Sequence, residues 1–194
     1  MAIDTWLVLG LGNPGDRYRA TRHNVGQMVI DELATRMHQT FSRHPRANAL
    51  VVEGRTVPGG PKLVLAKSTG YMNTSGAPAS QLVKYYGVPL ERTIVVHDEL
   101  DIPFDSLKLK RGGGHGGHNG LRDISSALGA DYLRVRVGIG RPPGRQDAAD
   151  YVLRPFAATE RATLPVLVSD AADAVMMIVE DGLLAAQQRV HGRP

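Results

Sequence analysis

Apolar positions along the chain fall into runs with two different periods. Thr5 to Leu9 is almost wholly apolar and ends in glycines, the pattern of a strand buried in a parallel sheet. After a long loop, Asn24 and Gln27 have the spacing of a capping box, and Val25, Met28, Val29, Leu33 and Met37 mark one helical stripe. Ala49 to Val57 and Lys62 to Lys67 read as two strands around Pro58-Gly59-Gly60-Pro61, a hairpin by its breakers. Thr74 or Ser75 then caps a helix running to Tyr85, with Pro78 tolerated in its first turn. Thr93 to Val96 is another continuous buried strand, and Leu107 to Lys110 a short alternating one. Gly112 through Gly120 is a loop, followed by a helix to Leu128 that Gly129 stops. Leu133, Val135, Val137 and Ile139 alternate with Arg134 and Arg136, which describes a strand buried on one face. A breaker cluster at Arg141 to Arg145 precedes an Ala-rich tail, helical from about Thr159 to Val190 and interrupted near Gly182. Hairpin and strand–helix signals together predict an α/β fold with a twisted mixed β-sheet flanked by helices.

Length and composition narrow the picture further. The 194 residues suit a single compact domain, residues 1–194, with no repeat and no linker. Twenty-two glycines and 12 prolines cluster between apolar runs instead of repeating with a period, which excludes collagen-like and disordered chains. The absence of cysteine removes disulfide scaffolds, thiol nucleophiles and cysteine-built metal sites. The N-terminus lacks the basic flank and apolar stretch of a signal peptide, and no apolar run approaches the roughly 20 residues that span a bilayer, so a soluble cytoplasmic protein is expected. A net charge of +4 suits a polyanionic partner without demanding one.

Gly10-Leu11-Gly12-Asn13-Pro14-Gly15 matches the dinucleotide fingerprint and follows a strand. That fingerprint works by opening a helix at once, whereas Pro14 lacks an N–H and the helical stripe begins only near Val25. We read the segment as a turn that presents Asn13; the rival is a nucleotide-cofactor oxidoreductase. His23 lies just before a helix start, where the imidazolium is disfavoured and the ring stays available as a base near its unperturbed pKa of ~6.5. Asp98 closes a buried strand, the usual place from which α/β proteins project functional groups. A carboxylate there could hold the Nδ1–H of His23 and stabilise the charge that appears when the ring takes a proton. Spacing alone leaves open a capping histidine and a strand-end aspartate bound to backbone.

With no Gly-x-Ser-x-Gly elbow and no cysteine, a His–Asp pair would activate water. His115 and His118 are spaced like metal ligands, but a glycine-rich loop holds them poorly and no obvious carboxylate accompanies them, so no metal is assigned and a chelator-sensitive hydrolase stays a rival. Asn13, Asn73 and Asn119 follow apolar segments, and three neutral amides near a base suit acyl transfer to water. Lys108 and Lys110 share one face of their strand and Arg134 and Arg136 one face of theirs, with Arg111, Arg122, Arg141 and Arg145 nearby, a basic region able to grip phosphates. Aromatics make up 5%, so recognition of a nucleic-acid backbone is favoured over stacking on bases. A non-catalytic RNA-binding module using those cations is the remaining alternative.

Taken in order, these motifs resemble the bacterial-type peptidyl-tRNA hydrolases. The resemblance rests on Gly10 through Gly15, Thr21-Arg22-His23-Asn24, Tyr71-Met72-Asn73-Thr74-Ser75-Gly76, His97-Asp98-Glu99-Leu100-Asp101 and Gly112 through Gly120, and spans nearly the whole chain. It implies hydrolysis of the ester joining a peptide to the terminal ribose of tRNA, by a monomeric protein without metal or cofactor. It implies further that His23 is the catalytic base and Asp98 orients it, while Asn13, Asn73 and Asn119 shape the cleft, the last two assisting the carbonyl and the water. Tyr18, Tyr71 and Met72 match wall positions, and Asn24 a polar neighbour of the base. Lys108 and Arg136 match a clamp for the tRNA 5′-phosphate at the acceptor stem. Lys110, beside that clamp, and His118, beside Asn119, complete the substrate-binding set.

Overall fold

The computed structural model describes residues 4–192. Among the described residues, seven strands form one mixed sheet: β1 (Thr5–Gly10), β2 (Ser42–Arg43), β3 (Ala49–Gly54), β4 (Lys62–Ser68), β5 (Thr93–Glu99), β6 (Leu107–Arg111) and β7 (Leu133–Gly138). Their spatial order is β2-β3-β4-β1-β5-β7-β6. β4, β1, β5 and β7 run parallel to one another, and the flanking β2, β3 and β6 are antiparallel to their neighbours. The helices are α1 (Val25–Arg36), α2 (Gly76–Tyr86), α3 (Asn119–Leu128), α4 (Ala148–Val152), α5 (Ala158–Arg161), α6 (Leu164–Asp181) and α7 (Leu183–His191).

Alternation along the central strands divides the core in two. Val8, Leu65, Ile94, Val96, Val135 and Val137 pack with α1 and α6 on one side. Leu7, Leu9, Val64, Ala66 and Val95 pack with Leu82 of α2 and Leu121 and Ile124 of α3 on the other. This is why the central strands read as unbroken apolar runs: both faces are covered. The expected mixed α/β sheet and its hairpin are present.

Four expectations need correcting. Asn24 does cap α1 by position, but its side chain makes no cap bond; the amide is committed to the backbone of Asn13 instead, and a 3-10 turn at Arg22–Asn24 precedes the helix. Second, β7 is buried on both faces, because Arg134 is only 1% exposed despite its charge. Its guanidinium donates to the carbonyls of Gly113, Gly114 and Ala130 and lies 4.6 Å from the Tyr132 ring centre, so loop carbonyls, not water, satisfy it. Third, α3 starts at Asn119, inside the expected glycine loop. Fourth, α4 and β2 lie in stretches read as irregular, both too short to show a period.

One close approach places the functional end of the fold. A Cβ on Gly26 would sit 2.2 Å from the Val96 carbonyl oxygen, a distance that hard-sphere contact forbids. Only glycine lets the first turn of α1 press against β5, and that contact brings the residues before α1 over the C-terminal end of β5.

Candidate active site

β5 runs three residues further than its apolar core, carrying His97, Asp98 and Glu99 to the carboxyl end of the parallel strands, where open α/β sheets bind ligands. The 3-10 turn before α1 sets His23 opposite: its Nδ1 lies 2.8 Å from Asp98 Oδ2. The pairing across 75 residues is therefore present. A second histidine completes the arrangement, with His118 Nε2 2.7 Å from Asp98 Oδ1. His118 is also the N-cap of α3, its Nδ1 accepting from the backbone N–H groups of Gly120 and Leu121. Because Nδ1 accepts, the ring's proton is on Nε2 and points at Asp98. The carboxylate thus receives one N–H on each oxygen.

These bonds set the charges. Burial opposes ionisation of Asp98, but the two imidazoles, by charge and hydrogen bond, hold its carboxyl well below the usual range. Burial likewise opposes a proton on His23, yet the charge and hydrogen bond of Asp98 prevail and raise its pKa above the ordinary value. This corrects the expectation of an unperturbed base: the carboxylate outweighs both burial and the helix terminus. Asp98 also settles the tautomer, since a carboxylate only accepts; Nδ1 carries the proton and Nε2 is left with the lone pair. His97, fully buried, bonds through Nδ1 to the Asp98 carbonyl. Burial, then the charge of neighbouring His118, pushes its pKa down to about 3, so it is neutral at working pH.

The site opens into a cleft of about 660 Å³. His23, Asp98 and His118 line one side together with Asn13, Asn73 and Asn119, so the structure does bring the three asparagines together around the histidine. Asn13 is locked: its Oδ1 accepts from Met72 N at 2.7 Å, while Asn24 donates to its carbonyl and accepts from its N–H, each at 2.9 Å. Its Nδ2 hydrogens are thereby left as the free donors on the cleft side. Tyr71 and Met72 form part of an apolar wall that continues through Leu100, Val152 and Leu153. Tyr18 stands behind it, edge-on to Tyr71 with ring centres 6.4 Å apart.

The structure reassigns four other residues. Asn24 does not reach this cleft: its amide braces Asn13 from behind and lines a separate groove of about 490 Å³. Arg134 leaves the basic region for the interior, and Arg111 and Arg141 are paired with Asp131 and Asp101. Lys108 and Arg136 stay at the surface as direct register partners on β6 and β7, with Lys110 beside them, and Arg122 and Arg145 are exposed as well. They share the α3 side of the sheet with Arg134 and, by alternation, with His97, the register partner of Arg136. The Nε of Arg136 is buried without a partner.

Sequence reasoning missed α4 as a cleft wall, His97 as the floor and Arg22 as a strut. Arg22 reaches from beside His23 to the Tyr151 carbonyl at 3.1 Å and to Glu160 at 3.2 Å, fixing α4 and α5 against the turn that carries His23; its place next to His23 was the one available signal. As for metal ligands, His115 and His118 do not converge, since His115 Nδ1 accepts from Gly117 N. The carboxylate thought missing beside His118 is Asp98. His23, Asp98 and His118 offer three atoms within 4.8 Å of one another, but each histidine nitrogen already faces its own carboxylate oxygen across a proton, which makes the cluster a hydrogen-bonded array.

Comparisons with known proteins bear on the family and the fold. The family model described as peptidyl-tRNA hydrolase matches residues 7–194. A peptidyl-tRNA hydrolase of Leifsonia xyli subsp. xyli is 63% identical over 187 residues, covering 96% of each chain, and one of Arthrobacter sp. (strain FB24) is 61% identical over 189 residues, covering 97% of each. Among solved structures, a peptidyl-tRNA hydrolase from Acinetobacter baumannii superposes with a TM-score of 0.89 at 32% identity, covering 98% of this chain and 96% of that one.

Proposed function

The chain belongs to the peptidyl-tRNA hydrolase family, and on that premise we propose that it performs the family's reaction, hydrolysis of peptidyl-tRNA, by His23-assisted attack of water. The observation that carries the mechanism is the 2.8 Å contact between His23 Nδ1 and Asp98, which leaves Nε2 as the base. Water placed between Nε2 and the ester loses a proton to the ring as its oxygen bonds to the peptide carbonyl carbon. Asp98 stabilises the imidazolium that results. The amides of Asn73 and Asn119 donate to the oxyanion, while Asn13 Nδ2 hydrogen-bonds the peptide backbone. On collapse, the bond between that carbon and the ribose oxygen breaks, and His23 returns its proton to the departing hydroxyl.

His118 has a supporting part: its second N–H to Asp98 fixes the carboxylate, and its cap on α3 fixes Asn119, the next residue. Tyr71, Met72 and the α4 wall cover the peptide side chains. Lys108 and Arg136, with Lys110, grip the 5′-phosphate of the acceptor stem, since these three strand cations lie side by side and, among the described residues, none is in an ion pair with a carboxylate. The active unit in this reading is a single-domain monomer, acting in the cytoplasm where peptidyl-tRNA arises. Among the described residues, no helix is long and apolar enough to cross a membrane.

The test is release of peptide from a defined peptidyl-tRNA by wild type and His23→Ala, with EDTA present. Turnover should persist under chelation in the wild type and vanish in the variant, with tRNA binding retained. Near-normal release by His23→Ala would overturn the mechanism, and loss of wild-type activity in EDTA would favour a metal hydrolase.

A further inference from the structure

β6 is the outer strand of its end of the sheet, so its backbone groups facing away from β7 need partners. In a strand the N–H and C=O of one residue point to the same side. At Leu109 both are satisfied by side chains of α7: Leu109 N–H donates to His191 Nε2 at 2.9 Å, and Gln187 Nε2 donates to the Leu109 carbonyl at 3.0 Å. Gln187 and His191 are four residues apart, on one face of the helix, and Ala186 of the same helix is fully buried in the core. We propose that Gln187 and His191 are positioning residues for the tRNA grip: they stand in for a neighbouring strand on β6 and so hold Lys108 in register with Arg136.

This rests on Lys108 and Arg136 being the phosphate clamp. Leu109 sits between Lys108 and Lys110, whose register partners are Arg136 and Arg134. Four cations on two adjacent strands repel one another, and repulsion acts to peel the edge strand away. The two α7 bonds oppose that. His191 serves only while Nε2 is unprotonated; burial, then the charges of Lys108 and Arg136, keep the ring's pKa below its ordinary value.

The test compares Gln187→Ala/His191→Ala with wild type and with Lys108→Ala, on full peptidyl-tRNA and on a short peptidyl ester of a nucleoside without phosphate. The double variant should raise KM for peptidyl-tRNA roughly 2- to 5-fold, less than Lys108→Ala does, leave kcat and the short ester unchanged, and speed hydrogen exchange at the Leu109 amide. His191→Gln, whose side-chain oxygen restores an acceptor, should recover part of the lost affinity. Adding Lys108→Ala to the double variant should cost less than the product of the separate effects. Equal losses on both substrates, or an unchanged tRNA KM alongside faster Leu109 exchange, overturn the inference while the clamp stands. If Lys108→Ala itself acts equally on both substrates, the clamp reading fails and takes the inference with it.

Discussion

The catalytic end of the cleft and the cationic face of β6 and β7 handle charge in opposite ways. Around Asp98 the ionisable groups are largely enclosed and partnered: two imidazoles donate to one carboxylate that is 2% exposed. On the other surface Lys108 is exposed and Arg136 half-buried, and like charges crowd together, Lys110 being held below its usual pKa by burial and then by Arg136 and Arg134, with Glu99 opposing them. The first arrangement is preorganised, so removing one member leaves another buried and unpaired, which is costly. The second acts through water, where each charge contributes little and salt screens it. A stationary site for chemistry and a yielding site for a polyanion are the two solutions.

The sharpest way to break the contrast is His23→Ala, expected to lower kcat by about 10⁴-fold while binding of tRNA, measured by filter retention, is unchanged. Next comes Asp98→Asn, expected to cost about 10³- to 10⁴-fold. It also carries a pH signature. His23 must be neutral to act, so the wild-type kcat/KM falls as pH drops through a pKa held above the ordinary ~6.5. Removing the carboxylate leaves burial, which lowers that pKa, and the acid limb of the profile should move to lower pH. An acid limb that stayed in place would show that Asp98 does not set the charge on His23.

Asn119→Ala, which deletes a proposed oxyanion donor but no buried charge, should lower kcat by about 10²- to 10³-fold with KM for peptidyl-tRNA little changed. The smallest effect belongs to the cationic face. Lys108→Ala should raise KM about 5- to 10-fold for full peptidyl-tRNA, flatten its salt dependence by the equivalent of one phosphate contact, and spare short esters. A drop in kcat of catalytic size from Lys108→Ala would erase the distinction between the two regions.

Legibility followed the same division. The strand that ends in Asp98, the turn that presents Asn13 and the hairpin around Pro58 to Pro61 were readable because local rules of pattern and turn chemistry act on neighbours. Resemblance of five ordered motifs, not spacing, joined His23 to Asp98. What pattern misjudged was polar: Arg134 alternates like a solvated residue yet is buried against loop carbonyls, and Asn24 is spaced like a cap yet braces Asn13. A polar side chain has several possible partners, and periodicity states only which way it points.

From the sequence alone came the α/β class, the expectation of water-activating chemistry in a chain with no cysteine and no Gly-x-Ser-x-Gly elbow, and the inventory of amides and cations, because composition and periodicity are properties of the chain itself. Tertiary structure decided which of the eight candidate cations stay available on the surface, that His118 shares the carboxylate with His23, and that α7 guards the edge of β6. Those outcomes depend on burial and on partners far along the chain, and desolvation becomes a quantity only when the packing around each polar group exists.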